Sequence, residues 1–167
     1  MRRVPLAGRA IALALLLPIA GAACGAPAAA RSCTAGQAEI DPLQPLTLVT
    51  GKGRFAFRVE NADTADERET GLMCRRALAP DRGMLFDFRQ PTDGVAFWMR
   101  NTLIPLDIIF IRPDGRVLSI ARNARPLDET PLPAGGEIRG VLEIAGGRAA
   151  QIGLQPGDQV MHAIFAP

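Results

Sequence analysis

The run Leu106-Asp107-Ile108-Ile109-Phe110-Ile111 is followed, one residue later, by Pro113-Asp114-Gly115 and then by Arg116-Val117-Leu118-Ser119-Ile120-Ala121. No other feature of the chain limits its fold as much. Proline sets the first turn angle and glycine accepts the left-handed one, so two apolar segments of strand length must lie antiparallel. The first segment is too short for a helix and is dominated by β-branched and aromatic side chains. It contains one carboxylate, Asp107. A carboxylate between apolar neighbours on a strand has to be hydrogen-bonded, paired or placed at a solvated edge.

Similar segments recur from Leu46 to Phe165. Leu46–Thr50 and Arg54–Glu60 read as strands joined through Gly51-Lys52-Gly53, the second alternating Phe55, Phe57 and Val59 with polar residues. Met84–Phe88, Val95–Met99, Ile138–Ile144 and Asp158–Phe165 read the same way, and the proline-rich stretch from Pro126 to Gly136 reads as a loop. Thr64-Ala65-Asp66-Glu67 has the form of a capping box, which predicts a short helix running to about Met73. A second short helix is expected from Gly147 to Ile152, ending at Gly153. Seven or eight short strands with two brief helices imply a mainly β domain over residues 46–166, a compact antiparallel barrel or jelly-roll-like sandwich in preference to a βαβ sheet.

The start of the chain has a different composition. Arg2, Arg3 and Arg9 precede the apolar run from Ala10 to Leu17, and small residues Gly21-Ala22-Ala23 follow, so residues 1–30 are expected to be a secretory signal peptide and the protein to be exported to the periplasm. Cleavage near Ala23 or within Ala28-Ala29-Ala30 is one expectation. The alternative is a lipoprotein, cut before Cys24 and anchored to the membrane through a lipid on that cysteine. Residues 31–45 read as a flexible tether. With Cys24 lipidated or removed, Cys33 and Cys74 remain, either as a disulfide or as two free thiols.

Removing the three leader arginines leaves 16 basic against 17 acidic groups from the 19 and 17 of the whole chain. A near-neutral domain lacks the clustered cations a nucleic-acid binder needs. The partner expected instead is a small molecule or another envelope protein.

The segments Glu67-Arg68-Glu69-Thr70-Gly71-Leu72-Met73, Gly83-Met84-Leu85-Phe86-Asp87-Phe88, Phe97-Trp98-Met99-Arg100-Asn101-Thr102-Leu103-Ile104-Pro105-Leu106-Asp107-Ile108 and Gly157-Asp158-Gln159-Val160 resemble, in order and spacing, the bacterial and archaeal family known as domain of unknown function 192. The resemblance spans roughly Leu46 to Phe165. It implies a compact, mostly β domain of jelly-roll or barrel-like form, often behind a signal peptide, and carries no activity over to any residue.

Chemistry-bearing motifs are sparse. His162 is the only histidine and reads as structural, and no nucleophile elbow, phosphate loop or metalloprotease motif is present. Met73, Cys74, Met84, Met99, Met161 and His162 are soft metal ligands, but their spacing fits packing better than a metal site, so no cofactor is called for. The informative stretch runs from Trp98 to Asp107. Trp98 offers an aromatic face, Arg100, Asn101 and Thr102 offer donors, and Asp107 with Glu143 offers carboxylates. Two readings of Asp107 follow: an internal clamp that fixes the fold, or part of a ligand pocket with Arg100 or Arg139 beside it. The functional expectation is an exported binding or accessory module. The alternative is a glycan hydrolase using Asp107 and Glu143, since glycosidic cleavage needs two acids at suitable separation.

Overall fold

The computed structural model describes residues 33, 38–40 and 42–166. The expected signal peptide over residues 1–30, with Cys24, lies outside them. Strands β1 (Gln44–Thr50) and β2 (Gly53–Ala62) form the first hairpin, with Thr50 opposite Gly53. Helix α1 (Ala65–Thr70) starts at the capping box: the Glu67 amide donates to the Thr64 hydroxyl and the Thr64 amide donates to the Glu67 carboxylate. The helix stops short of Met73 because Gly71 turns to a φ of 48° and Cys74 to 62°.

Next come β3 (Arg82–Thr92), β4 (Ala96–Phe97), β5 (Leu106–Ile111), β6 (Val117–Ala124), β7 (Leu132–Pro133), β8 (Ile138–Ala145), α2 (Arg148–Ile152), β9 (Gln159–Met161) and a 3-10 turn, Ala163–Phe165. The sequence expectation of a strand over Val95–Met99 is too long. The chain leaves the ladder after Phe97, where the Met99 amide donates to the Asp128 carbonyl and Asn101 adopts a φ of 57°. The expected strand over Asp158–Phe165 is likewise only β9, because the His162 ring accepts from the Ile164 amide and starts the 3-10 turn.

Seven strands form one sheet in the order β6-β5-β8-β3-β2-β1-β9, and β4 pairs with β7 separately. The domain is mainly β, a curled half-barrel. Its two edge strands approach each other: Arg116 bridges Gln159, and the Val117 and Val160 amides donate to the Asp158 and Gly115 carbonyls. Every neighbouring pair in the sheet is antiparallel except β2–β3, which is parallel with α1 in its crossover, so one βαβ unit stands among antiparallel neighbours. Side-chain alternation along β2 reports which face is buried and carries no information on the direction of its neighbour.

The curl puts side chains from all seven strands into one apolar cluster, including Leu48, Val59, Leu85, Ile109, Val117, Ile144 and Val160, closed by Ile152 of α2. The opposite face carries a second cluster around Met84, Phe86, Ile108, Phe110 and Val141. Strand β5 is therefore buried on both faces, which is why its sequence is a continuous apolar run.

The described part of the expected tether is held against this sheet. Cys33 and Cys74 form a disulfide. The Ile40 amide donates to Glu60, and Arg75 donates both to the Ala38 carbonyl and, at 2.6 Å, to the same Glu60 carboxylate in a buried ion pair. By loop-closure entropy, Cys33→Ser should lower unfolding free energy by about 3–4 kcal/mol. Urea unfolding of the oxidised protein and the variant measures it; coincident curves would mean that the bridge contributes nothing.

Candidate functional site

Helix α1 and the turn after it lean over β3. Gly71 permits this approach: a Cβ there would sit 3.1 Å from the Phe86 ring. Facing α1 across a gap lies the segment from Ala96 to Thr102. Between them opens a recess of about 200 Å³, walled by Arg68, Glu69 and Thr70 on one side and by Phe97, Trp98 and Arg100 on the other, with Glu143 lining it from the sheet. Phe97 meets Phe86 edge-on with ring centres 5.0 Å apart and Phe110 at 6.0 Å, so the back of the recess is a rigid aromatic cluster. The two walls are also tied below it, where the Cys74 amide donates to the Asn101 carbonyl at 2.8 Å.

Glu143 is the unusual member. It is only 4% exposed and, among the described residues, it has no hydrogen-bond or ion-pair partner. Its neighbours across the sheet are Met84 and Ile108, both buried and apolar. Burial pushes its carboxyl up from an ordinary 4.5 to about 8. Two places along the same cross-strand row stands Glu60, opposite Met84, and its charge is neutralised by Arg75. Glu143 has no such cation among the described residues.

Arg100 lies over the Trp98 ring at 4.1 Å, and Trp98 is 44% exposed. That contact orients the guanidinium while leaving its donors without a protein acceptor among the described residues. Arg68, by contrast, donates to the carbonyls of Asp63 and Asp87. Thr102 is buried and lines the recess, its hydroxyl 3.4 Å from the Arg100 carbonyl.

Of the residues singled out in the sequence, Trp98, Arg100, Thr102 and Glu143 thus converge, and Asn101 lies next to them as the tie between walls. Asp107 does not join them. It pairs with Ile144 across the sheet, whereas Glu143 pairs with Ile108, and the period of two along a strand sends the two carboxylates to opposite faces. Asp107 is fully buried, and its oxygens accept the Asn123 and Ala149 amides, each at 2.7 Å. It clamps the start of α2 to β6. The helix needs this because Gly147, at its N-cap position, has no side chain to cap with. Neither cation expected beside Asp107 is there: Arg139 pairs with Asp87 instead, and Arg100 stays on Trp98. The hydrolase reading built on Asp107 and Glu143 fails on this geometry, since glycosidic cleavage requires both carboxyls to face one bond.

Asp87 is held below the ordinary carboxylate range: burial would raise it, but hydrogen bonds from Arg139 and the Arg89 amide outweigh that. His162 is lowered by burial, partly offset by the Asp87 charge. Sequence reasoning missed the α1 wall, although Glu67–Met73 is among the segments shared with the family.

The comparisons agree with this architecture. The family model described as uncharacterized ACR, domain of unknown function 192, matches residues 47–162. The chain belongs to this family. It is similar to the crystal structure of a protein of unknown function from Novosphingobium aromaticivorans, at 46% identity and a TM-score of 0.71, covering 83% of this chain and 99% of that one. A Sinorhizobium meliloti structure, described as a candidate transcription regulator, is 38% identical with a TM-score of 0.72, covering 77% of this chain and 99% of that one. No curated protein matches.

The folded protein keeps the Glu143 proton up to about pH 8, while the unfolded chain releases it near 4.5. Between those values the native state binds the extra proton, so stability falls as pH rises, by at most about 1.4 kcal/mol per pH unit. Glu143→Gln should flatten that slope, its advantage over the parent protein opening above about pH 4.5 and reaching its full size near pH 8. Denaturant midpoints across this range decide it, and parallel pH profiles would contradict it.

Proposed function

We propose that the protein is an exported domain that binds a small molecule in the recess between α1 and the segment from Ala96 to Thr102. The observation that carries this reading is the buried Glu143 carboxyl, without a partner among the described residues, facing the same opening as an exposed tryptophan. An apolar pocket with a few convergent polar groups is the usual form of a small-molecule site. An uncompensated buried carboxyl costs stability, and such costs concentrate where a ligand repays them.

Export is supported by the leader and by the Cys33–Cys74 disulfide, since such bonds persist mainly in oxidising compartments. The regulator description belongs to the Sinorhizobium protein. The balance of 16 basic and 17 acidic groups after residue 30 does not supply the cationic surface that DNA binding needs.

The test is native mass spectrometry of the protein released from the periplasm. A shortened polypeptide carrying a small-molecule adduct is expected, and Thr70→Phe, which fills the recess from the end of α1, should lose most of that adduct. An adduct retained equally by the variant, or no adduct on the parent protein, would count against the recess. Full-length chain confined to the cytosol would count against export.

A further inference from the structure

The charges around the recess are unevenly committed. Arg68 spends its donors on the Asp63 and Asp87 carbonyls, at 2.7 and 2.9 Å, but keeps its positive charge. Arg100 is held over Trp98 at 4.1 Å with no carboxylate within ion-pair distance among the described residues. The other carboxylate in the lining is Glu69, which is exposed at the rim of α1. From the sheet the recess is met by Glu143 and Phe86, and from the opposite wall by Ala96, Phe97, Trp98 and Thr102, of which only Glu143 titrates. With that carboxyl protonated, Arg68, Arg100 and Glu69 leave the lining with a net charge of +1.

We propose that the recess selects small organic anions with a flat apolar body, the anionic group on Arg100 and the body along Trp98 and Phe97. This inference rests on the recess being a ligand site and adds the charge class of what enters it. An arginine stacked on an aromatic ring is pre-oriented, so it loses little freedom when it takes up a carboxylate in bidentate fashion. The volume of about 200 Å³ limits the enclosed part of the ligand to roughly the size of one substituted ring. Glu143 acts as a gate on charge. While neutral it tolerates the anion, and once ionised it repels it at short range in a poorly screened site.

Benzoate, benzamide and benzamidine share one shape and differ in charge, which makes them suitable probes. The sole tryptophan gives a single indole N–H resonance to follow as each is titrated into the disulfide-bonded protein. Benzoate should bind about tenfold more tightly than benzamide at pH 6.5, with benzamidine weakest. Benzoate affinity should then fall by about tenfold as pH is raised past 8, and Glu143→Gln should abolish that fall. Arg100→Gln should erase the preference for benzoate while leaving benzamide binding in place.

Equal binding of benzoate and benzamide would overturn the charge assignment and leave the recess as a ligand site. Preferential binding of benzamidine that strengthens with pH would overturn it in the other direction, making Glu143 the counter-ion of a cationic ligand. Failure of all three probes to shift the indole resonance at about 10 mM, in the parent protein and in Glu143→Gln alike, would remove the recess reading and this inference with it.

Discussion

Strands β5 and β8 run side by side through the sheet with both faces covered, and the rest of the structure depends on how that double burial is reconciled with the two carboxyls the strands carry. A carboxylate taken out of water without compensation loses several kcal/mol, an effect too large to leave unmanaged in a domain of this size. The fold answers differently on its two faces. On one, Asp107 accepts two backbone amides and in doing so caps α2, so the cost of burial is offset by a helix that lacks a cap of its own. On the other, no donor or cation among the described residues reaches Glu143, and the consequence is a carboxyl that keeps its proton at neutral pH.

The contrast with Glu60 makes the second arrangement informative. Glu60, Met84 and Glu143 follow one another across β2, β3 and β8 on a single face. Arg75 reaches Glu60 from the turn after α1 and also fastens the chain at Ala38. The same helix-turn unit therefore neutralises one carboxyl and walls in the other. What α1 presents to Glu143 is an opening lined by Leu72, Phe86 and Phe97, with Arg100 held across it on Trp98.

Much of the architecture is legible in the sequence because it rests on local rules. The Pro113-Asp114-Gly115 turn, the Thr64–Glu67 capping box and the apolar run of β5 are each set by a few adjacent residues, and the structure carries all three. The convergence of Trp98, Arg100 and Thr102 is legible for the same reason, since they lie within five consecutive residues. The parallel β2–β3 pairing and the role of Asp107 are not, because both depend on what a distant segment brings. The pair Gly146-Gly147 ahead of a helix does signal that a cap must come from elsewhere, but not that Asp107 supplies it. Register decides the fate of the two carboxylates as well: Asp107 and Glu143 are similar in sequence context, and a pairing of Asp107 with Ile144 in place of Glu143 separates them by the thickness of the sheet.

The character of the recess depends on the protonation of Glu143. Carbon-detected NMR of the side-chain carboxyl, assigned by its loss in Glu143→Gln, reads that protonation directly. A midpoint of about 8 is expected. A midpoint in the ordinary range near 4.5 would mean that a donor or cation reaches the carboxyl after all, and the reading of the recess as a site built around a neutral acid would be contradicted.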